Sequence, residues 1–555
     1  MSSDHELLAA DSFPRGNASD KQPGKDEEII VTNMDTTAQQ DKPYLQGPRL
    51  WLVASTLAVM VFLIVLEIPI VPTCLVSISN DIGGFDMLSW VISSYLLGRI
   101  GVMVIFAKLS DILGRKFIFT TSIAIFAIFS GACGGAQTMT QLIVFRAFQG
   151  VGGGGAYSLS TVLITELVPP HKIAKSTAQL SLVTTLGNVL GPIIGGAISN
   201  NTNWRWIFWL NVPIAVCTLL LALAVIPNGF PHHNETPRQL ETQKPRPTAS
   251  IKRLDIIGTI LLLVATVSLA AGFQEAGSRF PWKSAYVISL LTISGLLWIV
   301  LLLWERRVTL AGGSQEPVLP WRLLTDRAMT GILLIFFMVG GPLVVTIYQI
   351  PQFFQLVYGL SGLDAGVRVV PFTALWSVGL IISPTLAGKL KVPPIYIILV
   401  GSSIQVIGFA LLGTLPVSLQ IPPQIYAYEV IAGLGCGLVF PLLFIMIPFV
   451  AQKRDRAVGM ATGSQFQVMG SAIVLSIATS IFNSYTRDRL TTLLGASGSL
   501  LNLGESLASI PTQAQEQARL TLAEGYNRQS LVLCATAAFQ MPLALLLWKR
   551  KQVTV

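Results

Sequence analysis

The sequence has few charged residues, and this shortage determines its class. Only 12% of the 555 residues are Asp, Glu, Lys or Arg, whereas 52% are hydrophobic. A soluble domain carries roughly 25% charged residues, so the composition excludes an ordinary soluble domain and indicates a membrane protein. The net charge of +9 does not call for a nucleic acid partner, because cytoplasmic loops of membrane proteins carry an excess of Lys and Arg.

Cysteine is scarce as well. The five cysteines lie in apolar segments without a CxxC pair, so we interpret them as small buried residues rather than as disulfide or metal ligands. The sequence shows no nucleophile with its base, no phosphate loop and no cluster of metal ligands. The Gly-rich run 150–155 lies inside an apolar segment and does not follow a strand. We therefore expect no enzyme activity, no metal and no cofactor.

Long apolar runs are abundant. A membrane-crossing helix needs about 20 apolar residues, and fourteen runs reach that length. They are centred in 51–72, 88–107, 117–136, 140–163, 177–199, 206–227, 255–273, 286–304, 330–350, 367–388, 395–415, 424–450, 457–482 and 530–548. An even number of spans puts both termini on one side. Most Lys and Arg residues of the connecting loops fall on that side, which predicts that both termini are cytoplasmic.

A short polar segment, K-L-S-D-I-L-G-R-K at 108–116, separates the second and third runs. A link this short makes the two spans antiparallel neighbours. Asp111 and Arg115 suggest a gate, because a carboxylate that accepts from helix N-termini across a helix-bundle interface can lock one conformation. The alternative is a solvated turn whose surface ion pair is worth under about 1 kcal/mol.

Four charged residues lie well inside predicted spans, at least five residues from either end of the span. A charge at a helix centre costs about 2.5–3.5 kcal/mol, so the carboxyl of Glu67 must face a cavity, find a partner or stay protonated. Glu67 is then a proton carrier or an interfacial residue. Arg146 is a cavity charge that changes partners or part of a structural pair. Arg99 contacts an anionic substrate or extends to the interface, and Glu429 is a second protonatable group or an interfacial residue.

Four segments resemble motifs of the major facilitator superfamily. The segment 107–116 resembles G-x-L-(A/S)-D-x-x-G-R-K, and 146–150 resembles R-x-x-Q-G. The segment 187–196 resembles the antiporter motif G-x-x-x-G-P-x-x-G-G, and 204–213 resembles the W-R-W-I-F-x-x-N-x-P entry to span 6 of fourteen-span drug:proton antiporters. The residues that match the first three motifs are Asp111, Gly114, Arg115 and Lys116, then Arg146, Gln149 and Gly150, then Gly187, Gly191, Pro192, Gly195 and Gly196.

Two positions depart from these patterns. Ala107 replaces the first Gly of the loop signature, and span 1 reads L-E-I-P-I-V at 66–71 where the antiporter family commonly has L-D-x-T-I-V. The carboxylate is retained as Glu67, while Pro69 stands in place of Thr. Proton coupling through Glu67 is therefore a hypothesis at this point. The three glycines Gly187, Gly191 and Gly195 recur every four residues, which lines them up on one helix face that a second helix can approach closely.

The resemblance implies an all-α polytopic membrane protein with the major facilitator fold: two six-helix bundles, plus two extra central helices, fourteen in all. The implied parts are a disordered cytoplasmic tail 1–48, a bundle 49–227, a cytoplasmic linker 228–254, the inserted helices 255–304, a second linker 305–329, a bundle 330–548 with a long outer loop 483–529, and a cytoplasmic tail 549–555. The linker 228–254 is an interaction segment or plain connection. The outer loop, where we expect an amphipathic helix near Thr512–Ala523, is a lid or a surface loop.

The function implied is proton-coupled efflux of small amphipathic organic compounds by alternating access. Glu67 would couple protons, Arg146, Gln149 and Arg99 would line the cavity, and 111–116 would form the gate. The expected partners are a small molecule, protons and the lipid bilayer, with no nucleic acid and a monomeric state, in the plasma membrane or alternatively the vacuolar membrane. A proton-coupled importer such as a siderophore carrier and a non-transporting membrane sensor are the alternatives. Asn200, in the sequon N-N-T, is a candidate glycosylation site.

Overall fold

A computed structural model describes residues 47–83, 87–227, 255–276, 280–311, 315–360, 362–452, 455–494 and 512–548. The predicted linker 228–254, the tail 549–555 and nearly all of the tail 1–48 lie outside the described residues. The described part of the chain is helical and contains no strand, apart from one isolated bridge between Ala276 and Phe280.

The helices are numbered here in chain order. They are α1 Pro48–Ile70, α2 Leu75–Ile82, α3 Leu88–Leu113, α4 Arg115–Gly134, α5 Met139–Leu167, α6 Pro170–Asn201, α7 Trp206–Trp209, α8 Asn211–Val225, α9 Ile256–Glu275, α10 Ala285–Ala311, α11 Trp321–Thr325, α12 Arg327–Tyr358, α13 Gly362–Val367, α14 Val370–Gly388, α15 Pro394–Gly413, α16 Gln424–Val450, α17 Arg456–Leu494 and α18 Thr512–Leu545.

Among the described residues, twelve helices are long and apolar enough to cross a membrane. The helices α5 and α18, of 29 and 34 residues, are long enough as well but are not among the twelve. Each of them includes a polar or glycine-rich stretch that lowers its hydropathy. The prediction of an all-α polytopic membrane fold is thus confirmed, while the count of fourteen spans stays a prediction.

The long helices pack in two groups. One group consists of α1, α3, α4, α5, α6 and α8, and the other of α12, α14, α15, α16, α17 and α18. The groups meet where α6 packs against α14 and where α3 packs against α17. The helix α9 packs against both α3 and α17, and α10 packs on α9. The two extra helices therefore lie against one seam between the groups.

The outer face of α10 shows what surrounds the molecule. This helix is apolar along most of its length, yet Leu296 and Leu303 are 64% and 61% exposed. Water is a poor solvent for such a face, whereas lipid tails accept it, and a helix satisfies its own backbone hydrogen bonds within the bilayer. The exposed leucines therefore indicate contact with lipid.

Two segments predicted as loops are largely helical. The helix α3 continues to Leu113 and α4 begins at Arg115, so Gly114 alone joins them. Gly114 has φ +101°, a conformation that favours glycine, and its N–H donates to the carbonyl of Ser110. In the predicted outer loop 483–529, α17 runs to residue 494. The expected helix near Thr512–Ala523 is the start of α18, which continues to residue 545.

Candidate functional site

A buried ion pair joins α5 to α1. Nη1 of Arg146 lies 2.5 Å from Oε1 of Glu67, and the two side chains are 1% and 0% exposed. Nε of Arg146 donates to the carbonyl of Val91 at 3.1 Å, and the guanidinium lies 4.3 Å from the centre of the Tyr95 ring. Buried charges are tolerated where they are paired and hydrogen-bonded. Glu67 is therefore not an interfacial residue, and one of its two predicted alternatives is excluded.

Two amides complete this polar cluster. Oε1 of Gln149 accepts from Nη1 of Arg146 at 2.7 Å, and Nε2 of Gln149 donates to Ser130 at 2.8 Å. Nδ2 of Asn211, at the start of α8, donates to Oε2 of Glu67. Each carboxylate oxygen of Glu67 thus has a donor. We name Glu67, Arg146, Gln149, Asn211 and Ser130 the buried polar cluster.

Sequence reasoning found three members of the buried polar cluster and missed two. Arg146 and Gln149 lie three residues apart on α5, so they share one face of the helix. Asn211 belongs to the segment that resembles W-R-W-I-F-x-x-N-x-P, and that motif was the signal that could have identified it. Ser130 gave no signal, because a single Ser in an apolar span has no distinguishing pattern.

The glycine stripe of α6 packs directly on α1 beside the buried polar cluster. A Cβ atom on Gly191 would lie 2.4 Å from Cγ of Pro69, and one on Gly195 would lie 2.2 Å from Oγ1 of Thr73. A Cβ atom on Gly187 would lie 3.2 Å from the carbonyl oxygen of Phe62. The backbones therefore approach as closely as glycine allows. By contrast, a Cβ atom on Gly196 would meet nothing within 4 Å, and Pro192 lies inside the same helix.

A cavity of about 370 Å³ lies between the two helix groups, with walls from α1, α3, α12 and α17 among other helices. Its lining is mainly aliphatic, with amide and phenol groups from Tyr348, Gln349, Gln352 and Gln467, and with Arg99. Of Arg146, Gln149 and Arg99, which were all expected to line the cavity, Arg99 does so. Arg146 and Gln149 are instead enclosed in the buried polar cluster.

The gate segment 111–116 is organised around Arg115, which is largely buried. Its Nη2 lies 2.5 Å from Asp111 and 2.8 Å from Glu166, and its Nε donates to Glu166 at 3.1 Å. The Arg115–Glu166 contact is bidentate, which is the strongest geometry for this pair. Asp111 therefore pairs with Arg115 in its own helix group. The sequence had suggested that Asp111 binds helix N-termini across the interface, and no such contact is present among the described residues.

Lys108, three residues before the gate segment, makes a contact beyond the first helix group. Nζ of Lys108, at the end of α3, lies 2.5 Å from Oε2 of Glu316, which precedes α12. Lys116 instead donates to the carbonyl of Leu223 at 2.6 Å, near the end of α8. A cation at a helix C-terminus interacts favourably with the helix dipole. Sequence reasoning did not identify Glu316 or Glu166 as partners.

The opposite end of the molecule has its own ion pair. Asp81 of α2 accepts from Nη1 of Arg205 and, at 3.0 Å, from Nε1 of Trp204. Nη2 of Arg205 also donates to the carbonyl of Ala136 at 3.0 Å. The hydrogen bonds from Arg205 and Trp204 hold the pKa of Asp81 below its ordinary value. Trp204 and Arg205 of the fourth motif thus connect their segment to α2 and to the residues that follow α4. Asn200, the candidate glycosylation site, lies in the last turn of α6.

Comparisons with known proteins now identify the family. The family model described as Major Facilitator Superfamily matches residues 52–276 and 256–475. The chain belongs to the major facilitator superfamily. It is 36% identical over 508 residues to "MFS-type transporter FPY5" of Fusarium mangiferae, covering 91% of this chain and 84% of that protein. It is 29% identical over 438 residues to "Multidrug resistance protein 3" of Bacillus subtilis (strain 168), covering 78% and 80%.

Solved structures of the superfamily have the same fold. The proton:xylose symporter XylE superposes with a TM-score of 0.55 over 89% of this chain and 96% of that one, at 16% sequence identity. At this identity the likeness shows the fold alone. This major facilitator superfamily member is therefore an integral membrane transporter rather than an enzyme, and the family predicted from the sequence motifs is confirmed.

Proposed function

We propose that this transporter exports small amphipathic organic compounds in exchange for protons. The observation that carries the proposal is the buried polar cluster. In it, the carboxylate of Glu67 and the guanidinium of Arg146 form an ion pair inside the first helix group. The names of the relatives, which include a multidrug resistance protein, support efflux of small compounds. The glycine stripe of α6, which belongs to the antiporter motif, supports exchange, because it packs on α1 around Pro69, two residues after Glu67.

In the proposed mechanism, protonation of Glu67 removes the charge that balances Arg146. Removing one partner of a buried ion pair costs about 3–5 kcal/mol, so the cluster becomes unstable in the arrangement it has here. Arg146 must then find another acceptor, and α1 moves relative to α5. Because Val65, Ile68 and Pro69 of α1 also line the central cavity, this movement would change the cavity and couple protonation to substrate release.

The movement belongs to a larger proposed scheme. Two six-helix bundles, 49–227 and 330–548, rock about the cavity while α9 and α10 stay against the seam. The gate at Asp111, Gly114, Arg115 and Lys116 closes the end from which substrate enters. We place the protein as a monomer in the plasma membrane, with both termini in the cytoplasm and protons as the coupling ion.

The test is accumulation of fluorescent amphipathic dyes in cells that express the wild type, Glu67→Gln or Arg146→Ala, with and without a protonophore. Glu524→Gln is the matched control, because Glu524 is 44% exposed and pairs only with surface arginines among the described residues. We expect the wild type and the control to lower dye accumulation, and the protonophore and both cluster variants to abolish that effect. Higher accumulation in wild-type cells would indicate import, and efflux that survives the protonophore would refute proton coupling.

A further inference from the structure

Arg99 of α3 is a buried cation that has no counter-charge in the part of the chain that the structure describes. The residue is 4% exposed and lines the central cavity. Its guanidinium carbon lies 4.5 Å from the centre of the Tyr157 ring, and its Nε has no hydrogen-bond partner. Among the described residues, no carboxylate pairs with it. Arg146, in contrast, has a carboxylate, an amide and a carbonyl as partners.

This arrangement is expensive unless something else supplies the missing charge. A guanidinium cannot lose its proton in a protein, and a buried charge without a partner costs several kcal/mol. The cation–π contact with Tyr157 recovers only about 0.5–2 kcal/mol. The residues that line the cavity include neither Asp nor Glu, so the lining itself cannot neutralise Arg99.

The position of Arg99 is fixed by the glycine-rich run of α5. A Cβ atom on Gly154 would lie 2.5 Å from the carbonyl oxygen of Arg99, and one on Gly150 would lie 3.1 Å from its backbone nitrogen. Side chains larger than hydrogen at these positions would push α3 away from α5. The glycine run that superficially matches a nucleotide-binding pattern therefore holds the backbone of Arg99 against α5, with the side chain at the cavity.

We propose that Arg99 is an anion-binding subsite and that the exported compounds are amphipathic organic anions, with an acidic group on an apolar body. A guanidinium presents paired donors that match a carboxylate, sulfonate or phosphate group. The aliphatic lining would contact the apolar body, and the cavity of about 370 Å³ falls within the range of roughly 300–1,000 Å³ seen for ligand pockets. This inference rests on the proposed function for two points, that the cavity is the substrate site and that the compounds are exported.

The experiment measures equilibrium binding to the purified full-length protein in detergent. The two probes are dansyl-undecanoic acid and its primary amide, which share one apolar body and differ in charge. We expect the wild type to bind the acid at least tenfold more tightly than the amide. Arg99→Gln should reduce acid binding to the level of the amide, and Arg99→Lys should keep part of the preference because the cation is retained.

Two controls keep the result interpretable. Arg49→Gln removes a surface arginine that donates to the carbonyl of Val225, and it should keep the full preference for the acid. Unchanged amide affinity in Arg99→Gln shows that this variant is folded. If it does not fold, the wild-type comparison still decides, because equal affinity for acid and amide would overturn the proposal. Preserved acid preference in folded Arg99→Gln would also overturn it.

Binding in detergent requires no proton gradient, so the two proposals fail separately. A preference for the acid that depends on Arg99, together with efflux that a protonophore does not affect, would retain the subsite and reject proton coupling. Proton-dependent efflux of dyes with no preference for the acid would retain coupling and reject the subsite.

Discussion

Glu67 and Glu429 are almost equally buried, at 1% and 0% exposure, but only Glu67 has partners for its carboxyl oxygens. Glu67 accepts from Arg146 and Asn211. Among the described residues, neither oxygen of Glu429, on α16, has a hydrogen-bond partner, and the side chain lies beside a cavity of about 30 Å³. Glu429 is thus not the interfacial residue that was one of its predicted alternatives. Two glutamates of similar burial therefore differ in energetic cost, because the carboxyl group of Glu67 is paired and that of Glu429 is not.

The contrast predicts opposite effects on stability. Glu67→Met leaves the charge of Arg146 buried and unpaired, so we expect a loss of about 3–5 kcal/mol and a clear drop in the melting temperature of the purified protein. Glu429→Met removes a buried polar group that costs about 1–3 kcal/mol when unsatisfied, so its melting temperature should be equal or higher. A comparable loss in both variants would mean that Glu429 has a partner that this conformation does not show.

The sequence predicted which charged residues are unusual but not which ones meet. Glu67 and Arg146 stand out in apolar spans, yet they are 79 residues apart, and their pairing depends on how α1 packs against α5. The same limit applies to Lys108 and Glu316, which are 208 residues apart. The glycine spacing predicted a close helix contact, while its partner, α1, became known only from the three-dimensional packing.

The error at the gate segment has a specific cause. Residues 108–113 were predicted to form a loop because they are polar, but polarity marks where a helix leaves the hydrocarbon, not where it ends. Lys, Leu and Ile are acceptable helix residues, so α3 continues until Gly114, whose φ of +101° breaks the helix. The resemblance to a loop signature therefore identified the family correctly but led to a wrong prediction of the local structure.

Gly195, in the glycine stripe of α6, and its neighbour Gly196, outside the stripe, provide a matched test of helix contact. Gly195→Ala would bring a Cβ atom to 2.2 Å from Oγ1 of Thr73 and 2.7 Å from the carbonyl oxygen of Ile70. Overpacking of this kind costs about 1–3 kcal/mol, so we expect lower thermal stability and slower dye efflux. Gly196→Ala, which meets nothing within 4 Å, should match the wild type in both assays. Equal behaviour of the two variants would contradict the close α1–α6 contact.

The Asp81–Arg205 contact predicts a pH dependence of stability. The hydrogen bonds from Arg205 and Trp204 lower the pKa of Asp81 from its ordinary value of 3.8. A group whose pKa is lower in the folded state stabilises the fold above its ordinary pKa and loses that contribution as the pH falls through the folded-state value.

The melting temperature of the wild type should therefore exceed that of Asp81→Asn by a constant amount from about pH 7 to about pH 5. The difference should shrink only below the ordinary pKa. A difference that disappears already near pH 6 would assign the effect to another group.

Arg115 and Lys116 are adjacent cations of the gate with different surroundings. Arg115 contacts two carboxylates, Asp111 and Glu166, and hydrogen bonds to charged groups are worth about 1.5–3 kcal/mol each. Among the described residues, Lys116 donates to the carbonyl of Leu223 near a helix end, and a cation at that place is worth about 0.3–1 kcal/mol. We therefore expect Arg115→Ala to lower the melting temperature and the rate of dye efflux strongly, and Lys116→Ala to change both only slightly.

A second substitution tests whether the repulsion between two carboxylates contributes to the effect of removing Arg115. Without Arg115, the carboxylates of Asp111 and Glu166 remain close together without the cation between them. Adding Asp111→Asn to Arg115→Ala removes one of the two negative charges, so the double variant should melt at a higher temperature than Arg115→Ala alone. In the wild-type background, Asp111→Asn should instead be destabilising, because it weakens a contact with Arg115. The same sign of effect in both backgrounds would show that Arg115 does not hold the two carboxylates together.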